Sequence, residues 1–196
     1  MQTEPMVAAV RPTIILASGS PRRSELIGRL GWDFTVIVPD VDEDIEALPR
    51  DMVEILSKRK ATAVAAQLNE GIILAADTIV ALGDKVLGKP ADEANAKAML
   101  SELSGRSHEV FTGVCMIDAK TGATSTRVDR TVVHFKTLSE SQIDDYVATG
   151  EPMDKAGAYG AQGIGGQFVK SIEGSFTNVM GLPIEVLEDM LLALRQ

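Results

Sequence analysis

One segment constrains the fold more than any other. Ile72-Ile73-Leu74-Ala75-Ala76 is an unbroken apolar run, and Asp77 follows it at once. A strand with one wet face alternates apolar and polar residues; a continuous run marks a strand buried on both faces. Such a strand needs covering elements on either side, which is an α/β architecture. A carboxylate next to such a run is costly unless it is paired, metal-bound or turned to a cleft. Open α/β sheets collect ligands beyond the carboxyl ends of their strands. Asp77 is therefore a candidate functional residue, with a simple cap or turn aspartate as the alternative.

The other elements alternate in the same sense. Ile14 to Ala17 predicts a strand, Ser20 to about Leu30 a helix closed by Gly31, and Phe34 to Val38 a second strand. A helix is expected from about Arg50 to Leu68. Ile79 to Leu82 and Lys85 to Leu87 flank Gly83-Asp84 as a hairpin. Ala91 to Leu103 predicts a helix, and Val110 to Asp118 and Thr124 to Lys136 two long strands. Ser139 and Gln142 form a capping box for a helix to about Thr149. Residues 157–166 are too rich in glycine for a regular element. Phe168 to Ile172 reads as the last strand, and Pro183 as the start of a C-terminal helix ending near Arg195. Residues 1–11 are expected to be a flexible extension, and 12–196 one domain.

The first strand feeds a second informative feature, Ser18-Gly19-Ser20-Pro21-Arg22-Arg23. Ser20 is placed as an N-cap, and Pro21 at the first helical position, where its missing N–H costs nothing. A helix N-terminus presents free N–H groups and partial positive charge. Two arginines in its first turn add forked donors suited to phosphate oxygens. Together these read as a phosphate cradle; the bland alternative is a helix start with two solvated arginines.

Composition narrows the function classes. The chain has 196 residues and a net charge of −9, which argues against general nucleic-acid binding while leaving room for a local basic pocket. The single cysteine, Cys115, excludes an internal disulfide and fits a reducing, cytoplasmic setting; its apolar neighbours suggest a buried strand residue. No apolar run reaches membrane-spanning length, and no signal peptide is read at the N-terminus. His108 and His134 lack metal-ligand spacing, so no zinc site is expected.

Five segments, in order, make the chain resemble the Maf family of nucleoside triphosphate pyrophosphatases. They are the S-x-S-P-R-R run; Ala75 to Val80 with Gly88-Lys89-Pro90; Ser104 to Gly113; Asp154 to Gly163; and Ile172 to Phe176 with Asn178-Val179 and Gly181-Leu182-Pro183. The fourth resembles the branch acting on dTTP and UTP. The resemblance implies a mixed, strongly twisted central sheet flanked by helices, with two lobes around a nucleotide cleft. It implies hydrolysis of dTTP, UTP and modified pyrimidine nucleotides to monophosphate and pyrophosphate. Two alternatives stay open: the same chemistry on 7-methyl-GTP or modified purines, and a nucleotide-binding regulator of septum formation.

Residue roles follow from the same likeness. Asp77 is the expected acid/base group, a ligand for a divalent cation (Mg2+ or Mn2+), or both at once. Glu43, in the acidic run Asp40 to Asp44, is the second metal ligand; without the resemblance that run reads as a solvated loop. Lys60 is selected from Lys58-Arg59-Lys60 as the cation turned to the phosphates. Lys89, fixed between Gly88 and Pro90, is expected to neutralise charge on the leaving pyrophosphate. Ser18, Arg22 and Arg23 contact phosphate, while Arg22, Thr78 and Gln162 tune base choice. The Gln162 amide offers both donor and acceptor, as reading a pyrimidine O4 and N3–H edge requires. A homodimer is expected, with no nucleic acid or membrane partner. Leu187, Met190, Leu191 and Leu194 on the last helix are expected to pack on the core or on a second subunit.

Overall fold

The sheet is organised around one long strand. Ile72–Leu82, here β3, follows β1 (Ile14–Leu16) and β2 (Phe34–Val36). The structure, a computed structural model, describes residues 13–194, so the expected extension over residues 1–11 lies outside the described residues. The remaining strands are β4 (Lys85–Leu87), β5 (Ser107–Asp118), β6 (Thr124–Phe135) and β7 (Val169–Glu173). They form one seven-stranded sheet in the order β2-β1-β3-β5-β6-β7, with β4 on β3. β1 runs parallel to β2 and β3; every other pairing is antiparallel. The sheet is therefore mixed, and helices cover both faces.

The apolar run of β3 explains why. Ile72, Leu74 and Ala76 face a core built with Leu26 and Ile27 of α1 (Pro21–Arg29), Met180 of α5 (Phe176–Met180), and Leu187 and Met190 of α6 (Leu187–Ala193). Ile73 and Ala75 face the opposite way, onto Ala61 and Val64 of α2 (Pro49–Ala65). Further along, Val80 joins a third core with α3 (Glu93–Leu103) and α4 (Glu140–Val147), while Ile79 and Ala81 pack with Val53 of α2. No helix in the described residues is long and apolar enough to cross a membrane.

β3 has a gap along one edge. β5 pairs with it from Ile72 to Ala81. On the other edge, β1 pairs only as far as Leu74, and β4 begins at Val80. Ala17 donates one more bond to the Leu74 carbonyl at 2.8 Å, after which the chain turns away through Ser18. Asp77 sits in the stretch between the two partners.

This corrects the expectation that the strand ends at Ala76. The chain continues extended through Asp77 and Thr78, because β5 supplies an unbroken ladder there. Asp77 nonetheless lies beyond the carboxyl end of a strand: the neighbouring β1. Other differences are local. β2 stops at Val36, and α2 begins at Pro49 and ends at Ala65. The C-terminal helix begins at Leu187, since residues 184–186 form a 3-10 turn after Pro183. Leu187, Met190 and Leu194 are buried in the core, with Leu191 packed partly against it. α5 was not expected, although Ser175 caps it, accepting from the Asn178 amide at 3.0 Å, and Gly181 closes it. Residues 157–166 contain 3-10 turns, at 156–158 and 164–168. The Ser139–Gln142 capping box is complete.

Candidate functional site

The β3 gap opens into a cleft of about 1090 Å3. One wall comes from residues 17–25 and the start of α2; the other comes from residues 86–89 and 151–163. The N-terminus of α1 faces this space. Ser20 occupies the N-cap position, but its side chain makes no cap bond; instead its backbone N–H donates to Ser18 Oγ at 3.2 Å. The first turn of α1 therefore keeps the free donors that attract anions.

Side chains alternate along β3, so Asp77 and Thr78 diverge. Asp77 lies on the α2 face and Thr78 on the α1 face. Asp77 is 6% exposed and Lys60 of α2 is 8% exposed. Lys60 Nζ donates to Asp77 Oδ1 at 2.7 Å and also lies 3.0 Å from Glu43 Oε1. A buried carboxylate thus meets a buried ammonium, the arrangement its burial requires. The acidic loop is drawn to α2 by this contact and by Arg59, which donates to the Asp42 carbonyl.

A glycine makes the approach of α2 possible. Gly113 of β5 stands opposite Asp77 in register. A Cβ there would lie 2.1 Å from the Val53 carbonyl oxygen of α2. Only a residue without a side chain admits the helix backbone so close to the sheet.

The two adjacent arginines separate. Arg23 turns inward: Nε donates to the Gly181 carbonyl at 2.8 Å, Nη1 to Ser18 Oγ at 3.1 Å, and Nη2 to Thr78 Oγ1 at 3.2 Å. Burial lowers its pKa, the nearby Asp77 opposing that effect. Arg23 and Thr78 thereby tie the turn to β3 and to the end of α5. Thr78 Oγ1 also lies 2.9 Å from Thr112 Oγ1, which in turn bonds the Asn178 carbonyl at 3.1 Å. Arg22 remains at the cleft, 3.4 Å from Asp154 Oδ2. Lys89 is exposed on the opposite wall and has no hydrogen bond or ion pair with the described residues. Gln162 stands at the rim, its Nε2 donating to Glu25 Oε1 at 3.0 Å.

Sequence reasoning did not single out Glu151, Lys155 or Tyr159, which also line the cleft. The Glu151 carboxylate accepts from the Ile164 N–H at 2.9 Å, the Gly165 N–H at 3.0 Å and the Tyr146 hydroxyl at 2.9 Å. Burial raises its pKa, but these donors and Lys155 outweigh that and hold it below the usual value. Lys155 Nζ donates to the Glu151 carbonyl and to Asp154 Oδ1, both at 2.6 Å. Gly150 and Pro152 mark a turn in the sequence; nothing there signals that Glu151 will gather loop N–H groups. Behind the wall, His108 Nε2 lies 2.8 Å from the Tyr159 hydroxyl. Burial pushes the His108 pKa down to about 4, with a smaller contribution from His134.

Among the described residues, no group of three or more histidines, cysteines and acids is placed to hold a metal ion. Glu43 and Asp77 supply two hard oxygen donors, both turned to Lys60 Nζ. That suits a cation such as Mg2+, which takes one or two carboxylates and completes its shell with phosphate oxygens and water.

Comparison with known proteins agrees with the segments read above. The family profile described as Maf-like protein matches residues 13–194. The dTTP/UTP pyrophosphatase of Desulforamulus reducens is 53% identical over 184 residues, covering 93% of this chain and 96% of that protein. The dTTP/UTP pyrophosphatase of Pelotomaculum thermopropionicum is 48% identical over 180 residues, covering 91% and 94%. Among solved structures, the Staphylococcus aureus Ham1 protein matches with a TM-score of 0.48 at 17% identity, covering 71% of this chain and 98% of that one. A profile match across the whole described chain, with relatives near half identical, makes this chain a member of the Maf family.

Proposed function

We propose that the chain is a nucleoside triphosphate pyrophosphatase acting on dTTP, UTP and modified pyrimidine triphosphates, yielding the monophosphate and pyrophosphate. The observation that carries this reading is the Asp77–Lys60–Glu43 group, held in a sheet gap beside an open helix N-terminus. The names of the relatives support the choice of substrate.

In this reading the phosphates lie against the Ser18 to Arg23 turn, where backbone N–H groups and Arg22 receive them. Arg23 positions the turn through Ser18, Thr78 and Gly181. Asp77 orients a water and takes its proton as the water oxygen bonds to the α-phosphorus. The bond from that phosphorus to the bridging oxygen breaks, and pyrophosphate leaves. Lys60 steadies Asp77 and adds positive charge beside the α-phosphate. Lys89, which has no hydrogen bond or ion pair with the described residues, neutralises charge growing on the leaving group. Glu43 and Asp77 would hold the divalent cation, which supplies charge neutralisation and a more acidic water when bound. Positioning and electrostatics are the main demands of such transfers. Gln162 reads the base, with Thr78 and Arg22 shaping its approach. Residues 12–196 act as one domain in the cytoplasm, as a homodimer and without nucleic-acid partners.

The test is turnover of a panel of nucleotides with Mg2+ or Mn2+, scoring phosphate with and without added inorganic pyrophosphatase. Phosphate that needs the added enzyme, strongest for dTTP and UTP, is the expected result. Phosphate without it would mean γ-bond cleavage. Silence across the panel would refute the reading.

A further inference from the structure

Three strands bring a chemically ordered group of side chains together outside the cleft. Ser107 opens β5, and His134 stands opposite it in register on β6. Glu173 ends β7 and pairs with Val132, two residues before His134. Residues directly opposite in an antiparallel pair share a face, and so do residues two apart along a strand. All three side chains therefore emerge on one face of the sheet. None of them lines the cleft. Ser107 is exposed, and the His134 and Glu173 side chains are 29% and 72% exposed.

The contacts run in one sequence. Ser107 Oγ lies 2.6 Å from His134 Nδ1, and His134 Nε2 lies 2.9 Å from Glu173 Oε1. An ionised carboxylate only accepts hydrogen bonds, so the ring proton sits on Nε2 and points at Glu173. Nδ1 of the neutral ring is then an acceptor, and the Ser107 hydroxyl donates to it. Arg130, on the same face, is engaged with Glu109, which leaves Glu173 to the imidazole. A hydroxyl held by a base, with the base oriented by a third group, is the arrangement that activates a serine. It is recognised by geometry and roles rather than by order in the chain. Here Nδ1 serves the serine and Nε2 the acid. Stability does not call for the arrangement, since exposed ion pairs contribute little to it.

We propose that Ser107, His134 and Glu173 form a second hydrolytic site, in which Ser107 is acylated by activated esters and then released by water. In the first step Ser107 Oγ bonds to the acyl carbon as its proton passes to His134 Nδ1. The bond from that carbon to the leaving oxygen breaks, and His134 hands the proton to the departing oxygen. In the second step a water oxygen bonds to the acyl carbon, its proton passes to His134, and Ser107 Oγ leaves and takes that proton. Glu173 is a positioning residue: it fixes the tautomer of the ring and steadies the imidazolium. The three side chains lie on an open sheet face, so the fitting substrates are small acyl donors with good leaving groups. The site does not depend on the pyrophosphatase reading.

The experiment gives the full chain p-nitrophenyl acetate, follows nitrophenolate release and locates the acetyl group by peptide mass spectrometry. The expected result is acetylation at Ser107 ahead of any lysine, with release that Ser107→Ala largely removes. His134→Gln should slow acetylation of Ser107 about a hundredfold, the lower end of what a positioned base contributes. Glu173→Gln should slow it less, and nitrogen NMR of the His134 ring should change from one tautomer to a mixture, because a neutral amide can face either form. A merely structural Glu173 would leave the ring unchanged and would overturn its role. All three side chains reach solvent, so thermal melting and dTTP turnover should stay at the wild-type level in every variant. Acetyl groups on lysines alone, or release that survives Ser107→Ala, would refute the site. A parallel loss of dTTP turnover would mean one site rather than two and would also overturn it.

Discussion

Gly113→Ala is the sharpest test of how this fold builds its site. The added Cβ would lie 2.1 Å from the Val53 carbonyl oxygen, 2.5 Å from the Val53 carbonyl carbon and 3.0 Å from the Glu54 nitrogen. All three are backbone atoms of α2, so no side-chain rotation relieves the contact. A carbon–oxygen approach of about 3.3 Å is the normal limit, so helix and sheet must part by about 1 Å. Overpacking of this kind costs about 1–3 kcal/mol. The movement reaches the site because Lys60 lies two turns along α2 from Val53 and faces Asp77 across the same interface. A displacement of about 1 Å at reacting groups can cost about a hundredfold in rate. Urea unfolding followed by the fluorescence of the buried Trp32 measures the first effect; steady-state turnover of dTTP at a temperature where the variant is folded measures the second. The expected outcome is a loss of about 2 kcal/mol in stability, with a fall in kcat of about a hundredfold. A variant as stable as the wild type and equally active would refute the claim that α2 reaches Asp77 only because β5 lacks a side chain there.

Four further outcomes are expected. Asp77→Asn should abolish turnover while nucleotide binding, measured by calorimetry, persists; near-normal turnover would exclude Asp77 as the base. Lys60→Met leaves the buried Asp77 carboxylate without its ammonium and should destabilise the fold by about 3 kcal/mol, whereas Lys60→Met with Asp77→Asn should recover most of that loss in a double-mutant cycle. His108 has a folded pKa of about 4 against 6.5 in the unfolded chain, so the unfolded state binds the extra proton between those values; stability is full above pH 6.5 and falls as the pH drops toward 4, by about 3 kcal/mol at ~1.4 kcal/mol per pH unit. Unfolding curves from pH 7 to 4.5 for the wild type and His108→Leu would expose that slope, and equal slopes would contradict it. Gly28→Ala in α1, where a Cβ meets nothing within 4 Å, should raise stability by about 0.5–1 kcal/mol in the same urea assay.

The fold was legible wherever a local pattern had one physical cause. The apolar run of β3 announced burial on both faces, and α2 on one side with α1, α5 and α6 on the other supply it. The Ser139–Gln142 box needed no tertiary context. What escaped was set by neighbours distant in sequence. Nothing local tells that β5 holds the chain extended through Asp77, so the strand seemed to end where its apolar residues end. α5 spans only Phe176 to Met180, too short for a periodic signal, and its cap and closing glycine lie within a segment whose sequence signal is the family pattern rather than a helix. At the site, Arg22 and Arg23 are equivalent in sequence. Their parting follows from where the Gly181 carbonyl and Thr78 lie, 158 and 55 residues away from Arg23. Glu151 escaped for the same reason: besides the Tyr146 hydroxyl, its carboxylate is held by the N–H groups of residues 164 and 165, which carry no side-chain signature.

The charge pattern of the cleft bears on how an acidic protein takes a polyanion. Arg22, Arg23, Lys60, Lys89 and Lys155 line it, and so do Glu25, Glu43, Asp77, Glu151 and Asp154. Cations and acids balance there, while the chain as a whole carries −9. Acidity has thus been kept out of the cleft, but the cleft is not a positive hole. Lys60 is engaged with two carboxylates, and Arg22 and Lys155 share Asp154. Lys89 and the open end of α1 are positive groups of the cleft that have no acid among the described residues to give up. On the proposed function, a triphosphate then brings several negative charges into a space that sums to none. The missing counter-charge has to arrive with the ligand, which is the physical reason to expect a divalent cation beside Glu43 and Asp77. The same balance favours release: once the bond is cut, monophosphate and pyrophosphate face acids as numerous as cations, and neither product is held by a surplus of charge.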